Sequence, residues 1–297
     1  MAVFLRSLLS VLALRSSFWR RSWRHRLLRQ IVFLGYCYVG VLLVLLMLEN
    51  RFVFHPTRDV EPPPHGLNIQ DVELRSVDGT PIHAWWAAPS NWQPERGALL
   101  YSHGNGGNLS YRGESVRRLR DLLHLAVLIF DYPGYGRSSG VPTEAGCYAA
   151  ADAAYDWLTS AQKVPSERIV LYGGSLGCAI ATDLAARKPH RALVMVAPFS
   201  SLPDMARLQF PWLPARWLVT NRFDNVGKIA HCHRPVFIAH GTADRIVPFA
   251  QGERLFAAAN EPKQFFPMPG LDHNHTPSPD FYEALRDFLA RCEQTAN

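Results

Sequence analysis

The first thirty residues of this 297-residue chain contain no Asp or Glu. They carry seven arginines instead: Arg6, Arg15, Arg20, Arg21, Arg24, Arg26 and Arg29. The chain's formal charge of +6 therefore sits at one end, and the rest sets 24 basic residues against 25 acidic ones. A nearly neutral body has no basic face for a phosphate backbone, so nucleic acid is excluded as a partner. Cysteine is sparse and scattered, at Cys37, Cys147, Cys178, Cys232 and Cys292. No Cys-x-x-Cys pair occurs, which argues against a zinc ribbon or a thioredoxin-type site. The odd count leaves at least one thiol free. His231-Cys232-His233 has metal-ligand residue types. Neighbouring residues of an extended segment face opposite ways, so no metal is expected there. The chain also lacks the Gly-Lys-Ser/Thr of a phosphate-binding loop and a Gly-x-Gly-x-x-Gly fingerprint, so no nucleotide cofactor is expected. No internal repeat is evident, and no low-complexity tract beyond the arginine-rich tail.

What is present first is an uncharged run, Ile31 to Leu48. As a helix it spans roughly 27 Å, enough for the hydrocarbon core of a bilayer. It is long for the apolar part of a cleaved signal, and no small-x-small site follows at Met47-Leu48-Glu49-Asn50-Arg51. An uncleaved anchor is expected, with the arginines holding the N-terminus in the cytoplasm. The organisation read from composition is a basic tail (1–30), a transmembrane signal anchor (31–48), a proline-stiffened tether (49–66) and a folded domain (67–297).

Within the domain, two alternating runs flank Asp78-Gly79 and read as antiparallel strands, 69–76 and 82–88. From Gly97 onward strands and helices alternate, which implies a mostly parallel sheet with helices on both faces. Strands are expected at 98–102, 126–132, 168–172, 192–196, 235–239 and 264–268. Helices are expected at 111–123, 144–160, 175–187, 249–259 and 279–292. Residues 198–228 are too long for a plain crossover and carry Phe199, Phe210, Trp212 and Trp217 among prolines. They read either as a small cap or as extra core packing.

Ligands of an open parallel sheet bind at the carboxyl ends of its strands. There the sequence places Gly173-Gly174-Ser175-Leu176-Gly177 between a strand and an Ala-rich helix. Such a turn is too tight for side chains at Gly173 and Gly177, and it lifts the Ser175 hydroxyl to the helix N-terminus. An earlier strand ends in His103-Gly104-Asn105-Gly106-Gly107-Asn108, a loop whose N–H groups can face an anion. The amides of Asn105 and Leu176 are the expected oxyanion donors. Asp244 lies just past a later strand, with Asp204 and Asp224 as alternatives in the cap region. Asp131 reads as a structural acid. The last strand is followed by His273 and His275, either able to serve as the base. The order Ser, Asp, His is that of a strand-turn-helix nucleophile fold.

With these residues in view the chain resembles the α/β-hydrolase superfamily over residues 67–292. It is most similar to the single-pass, membrane-anchored members of the bud-emergence type. The similarity rests on the anchor running straight into residues 49–56, on the His103–Gly107 loop, and on His273 followed by Asn274. It implies an α/β-hydrolase fold with a mostly parallel sheet of about eight strands, a short cap (198–228) and an N-terminal transmembrane helix. It implies His273, rather than His275, as partner of Ser175 and Asp244. Cys178 departs from the Gly usual after the turn, and Tyr132-Pro133 from a common Tyr-Arg. The implied activity is that of a serine esterase or lipase without metal or cofactor, acting on an ester or acyl substrate. A thioesterase or peptidase on the same residues, or a non-catalytic scaffold, is the alternative. The expected location is a single-pass membrane protein held in the bilayer by 31–48, with its domain in a periplasm or lumen. Two sequons, Asn108-Leu109-Ser110 and Asn274-His275-Thr276, flank the expected site, where a glycan would block it.

Overall fold

The computed structural model describes residues 2–294 and divides the chain into two compact units, 1–49 and 50–297. The first unit is helical. Helix α1 (Ala2–Val53) contains the uncharged run, and its stretch Trp23–Val53 is the one described helix long and apolar enough to cross a membrane.

The second unit is built on eight strands: β1 (Gln70–Arg75), β2 (Pro81–Ala87), β3 (Ala98–Ser102), β4 (Ala126–Phe130), β5 (Ile169–Gly174), β6 (Ala192–Val196), β7 (Val236–Gly241) and β8 (Lys263–Met268). Their order across the sheet is β8-β7-β6-β5-β3-β4-β2-β1. Strands β3 to β8 run parallel, and β1 and β2 join antiparallel at one edge. The middle strands are unbroken apolar runs because helices cover both faces. Alternate residues go to opposite cores. Leu100 and Leu171 enter one with Ala151 and Ile180. Leu99 and Val170 enter the other with Val116 and Phe281.

The helices are α2 (Gly113–Leu123), α3 (Glu144–Ser160), α4 (Leu176–Arg187), α5 (Leu202–Gln209), α6 (Ala215–Leu218), α7 (Asn225–Ile229), α8 (Phe249–Ala258) and α9 (Pro279–Gln294). The register aligns the ends that matter: Ser102 of β3 lies beside Gly173 of β5, Gly174 beside Val196 of β6, and Val196 beside Ala239 of β7. The loops after these strands therefore leave the sheet together.

Two regions bear on the expected organisation. Residues 49–66 read as a proline-stiffened tether outside the folded domain, and in the structure residues from Asn50 onward belong to the second unit and pack within it. Phe54 is 3% exposed and meets Phe223 edge-on at 6.1 Å. His55 and Pro56 form a short parallel bridge with Gly106 and Gly107. The prolines stiffen the segment, but its apolar residue and its backbone polar groups find partners on the domain. Within residues 198–228, Phe199 is buried in the core, while Phe210, Trp212 and Trp217 are exposed on and beside α5 and α6.

Candidate active site

Strand β5 runs into α4 through Ser175, whose backbone lies at φ 51°, ψ −115°. A non-glycine residue there is strained, and the surrounding structure must hold it. Two glycines make this possible. A Cβ on Gly177 would strike the backbone of Ser102 and His103, and one on Gly173 would strike the backbone of Gly177 and Cys178. The Ser175 N–H donates to Val196 O at 2.9 Å, fixing the turn to β6. Cys178 fits where a smaller residue was expected. It is fully buried, and its thiol reaches Gly173 O at 3.1 Å and Val196 O at 3.3 Å.

The loop after β8 brings His273 to this serine. His273 Nε2 lies 2.9 Å from Ser175 Oγ, and Nδ1 lies 2.7 Å from Asp244 Oδ2. Asp244 sits past β7 with its side chain wholly buried. Its other oxygen accepts from the Ile246 N–H at 2.9 Å and the Val247 N–H at 2.8 Å. Burial works against its ionised form. His240, His273 and the Val247 N–H outweigh that and hold the carboxyl well below the usual carboxylate range. A carboxylate with those bonds fixes the ring, so Nε2 faces the hydroxyl.

His275 is exposed and borders an open surface depression with Arg245, Ile246, Asp272 and Asn274. It is not brought to Ser175. Asp204 pairs with Arg254 at 2.7 Å, and Asp224 caps α7 through the Gly227 N–H. Neither alternative acid joins the site. Asp131 is fully buried and accepts from the Leu109 N–H at 2.8 Å, in keeping with a structural acid.

The Asn105 and Leu176 amides donate no hydrogen bond among the described residues. Leu176 opens α4, where such donors are unpaired by construction of the helix. Two neighbours carry no signal in the motifs. Asp272 accepts from the His273 N–H at 2.8 Å and the Arg245 N–H at 3.0 Å, and it pairs with the Arg245 guanidinium. These bonds hold its carboxyl down to about 2. Asp272 thus ties the histidine loop to the Asp244 loop. Its place directly before His273 was the only hint available. The second is the Asn105 side chain, which binds Val53 and His55. Of the sequons, Asn108 is buried with its amide on Thr57 O and Asp59 O, whereas Asn274 is exposed.

A family model described as the alpha/beta hydrolase fold matches residues 97–227. An uncharacterized protein of Mycobacterium tuberculosis is 37% identical over 257 residues, 84% of this chain and 90% of that one. Protein bem46 of Schizosaccharomyces pombe is 32% identical over 248 residues, 79% of this chain and 81% of that one. Among solved structures, the Pyrococcus furiosus esterase Pf2001 superposes with a TM-score of 0.66 at 19% identity, covering 80% of this chain and 97% of the esterase. That likeness is one of fold.

Proposed function

The chain belongs to the α/β-hydrolase superfamily, among proteins of the bud-emergence type, and from that premise we propose that it is a membrane-anchored serine hydrolase cleaving carboxylic esters. The observation that carries this reading is the line Ser175–His273–Asp244, at 2.9 and 2.7 Å. Its support in the relatives is the hydrolase fold and an esterase among the structural neighbours.

In the proposed reaction Ser175 Oγ attacks the acyl carbon while its proton passes to His273 Nε2. The carbonyl π pair moves onto oxygen, and the Asn105 and Leu176 N–H groups hold that oxyanion, each worth about 3 kcal/mol of barrier. Asp244 stabilises the imidazolium and keeps its orientation. Collapse re-forms the carbonyl and expels the alcohol, which takes the proton from His273. Water then attacks the acyl-enzyme by the same route, releasing the acid and restoring Ser175. The anchor is the 31–48 stretch of α1, with the arginines of residues 1–30 on the cytoplasmic side and the folded domain on the other.

A fluorophosphonate probe should label the wild-type chain at Ser175. Ser175→Ala should lose both labelling and turnover of p-nitrophenyl esters while its circular dichroism is unchanged. Residual turnover in that variant, or labelling at another residue, sinks the reading. A panel of esters of rising chain length identifies the acyl group. An inactive alkaline-phosphatase fusion at the C-terminus refutes the proposed orientation.

A further inference from the structure

The segment that follows α1 lies along the loop whose Asn105 amide the proposed mechanism uses. The contact is dense. Asn105 Nδ2 donates to Val53 O at 2.6 Å and meets His55 Nδ1 at 3.1 Å. Asn105 Oδ1 accepts from the His55 N–H at 3.2 Å and the Tyr135 hydroxyl at 2.8 Å. The Tyr135 oxygen in turn accepts from the His55 N–H at 3.3 Å. Next along the chain, His55 pairs with Gly106 and Pro56 with Gly107, and the Thr57 N–H donates to Gly107 O at 3.3 Å. Beyond the bridge, Thr57 O accepts from the Gly136 N–H at 2.9 Å and from Asn108 Nδ2 at 3.0 Å.

The loop needs an outside support. It contains Gly104, Gly106 and Gly107, and Gly107 sits at φ +82°. Glycines let the backbone turn its N–H groups outward but leave the loop loose. Its own side of the sheet supplies Arg112 Nη2 on Gly106 O at 2.9 Å and the Tyr132 hydroxyl on His103 O at 2.6 Å. Neither bond reaches Asn105, where the domain's own contact is the Tyr135 hydroxyl and the remaining side-chain bonds come from Val53 and His55. An oxyanion donor must be held to within about 0.5 Å to be worth its full effect. The side chain of Asn105 is saturated, both ends of its amide being engaged, and that restrains the residue whose backbone N–H is the proposed donor.

We propose that residues Val53–Thr57 form a strap that positions the oxyanion donor, with Asn105 reading the strap through its side chain and Tyr135 closing the contact. The inference rests on the serine-hydrolase reading above. His55 and Tyr135 are positioning residues: they act through Asn105 and touch no reacting atom. The end of the membrane-length helix is thereby part of the active-site scaffold. Displacement of a reacting group by about 1 Å can cost a hundredfold in rate. A loosened strap should therefore lower kcat, with little effect on KM.

The test uses the full-length chain in detergent micelles, as wild type, Tyr135→Phe, His55→Ala and Asn105→Ala. Two readouts are taken on each: kcat and KM for p-nitrophenyl butyrate, and the inhibition constant of an alkyl trifluoromethyl ketone. Ser175 Oγ adds to that ketone, its proton goes to His273, and the carbonyl pair becomes an oxyanion in the hole. The expected result is a fall in kcat of about tenfold to a hundredfold with KM within twofold, and a matching loss of ketone affinity. Amide exchange of Gly106 and Gly107, the residues bridged to the strap, should quicken in the same variants. If Ser175→Ala abolishes a wild-type activity that Tyr135→Phe and Asn105→Ala both retain at full kcat and ketone affinity, the strap proposal is overturned, even with a lowered Tm. If the wild type turns over no ester, the serine-hydrolase reading is what fails. The exchange measurement then decides the strap alone: faster exchange supports it and unchanged exchange refutes it.

Discussion

The molecule contains two arrays of histidine and aspartate, and they differ in what lies at the end. One is Asp244–His273–Ser175, with His240 Nε2 3.3 Å from the same Asp244 oxygen that faces His273. The other is Asp71–His83–Asp131–His103. His83 Nε2 lies 2.7 Å from Asp71, His83 Nδ1 lies 3.6 Å from Asp131, and His103 Nε2 lies 3.3 Å from Asp131. In both arrays a buried acid faces imidazole. In the first, the outer ring nitrogen meets a hydroxyl raised on a strained turn. In the second, no hydroxyl bonds to either ring among the described residues, and the imidazoles meet carboxylates and the Gly104 carbonyl. On the proposed reading, a carboxylate beside a histidine serves a catalyst in one array and a brace in the other. The group presented to the far nitrogen decides which.

Three perturbations sharpen that contrast. The largest effect is expected at the base. His273→Ala should lower kcat on p-nitrophenyl esters by about a millionfold, the scale seen when a triad histidine is removed. His275→Ala, on the same loop but exposed, should stay within a factor of two. Equal losses in steady-state kinetics would break the distinction between them.

The acids come next. Asp244→Asn should cost about ten-thousandfold in kcat, because the amide favours the wrong tautomer. Its fold should survive. Asp131→Asn should show the reverse: less than tenfold in kcat, but a Tm lower by about 2–4 °C. The amide would leave partners of a buried carboxylate unsatisfied. A large kcat loss with an unchanged Tm in Asp131→Asn would mean that the second array also takes part in chemistry.

The smallest effect is in the pH dependence of stability. At His83 burial disfavours the charged ring, but Asp131 and Asp71 outweigh it and raise the pKa. A raised folded value contributes stability that is complete below the ordinary imidazole value of about 6.5 and is lost as pH rises through the folded one. Asp131 runs the other way. Burial opposes its charge, yet His103 and His83 lower its pKa. Its contribution is complete above about pH 3.9 and is lost as pH falls through the lowered value. The brace is therefore strongest in mildly acidic solution. In thermal melts His83→Gln should lie about 2 °C below wild type at pH 6, on the scale of a weak buried contact. The gap should close by pH 9. A gap that widened with pH would reverse the assignment.

Much of this was legible in the chain because the signals were periodic or punctuated. Leu99, Val127 and Val170 sit in apolar runs that only a doubly covered strand explains. Gly173 and Gly177 bracket a serine so tightly that the turn has one geometry. Strand order led to Asp244 and to the loop that bears both His273 and His275, and the resemblance, through Asn274, pointed to His273. The strap was not legible. His55-Pro56 bonds through two residues of backbone, and a bridge that short has no period to detect. Its prolines also pointed to an extended spacer, which is its local conformation but not its environment. Asp272 was hidden for another reason. A carboxylate beside a loop histidine is common, and only the approach of Arg245 from the neighbouring loop gives it a task. The His83 brace also depends on β4 flanking β2, a long-range pairing that no local pattern encodes, whereas the β1–β2 hairpin was legible at Asp78-Gly79.

The exposure of Asn274, one residue past His273 and within a sequon, bears on how the protein should be made. A eukaryotic secretory host can attach an oligosaccharide there and leave Asn108 bare once folding has closed over it. Material from such a host would be a mixture of blocked and open enzyme, separable on a lectin column. Bacterial expression, or Thr276→Ala in yeast or insect cells, avoids that heterogeneity.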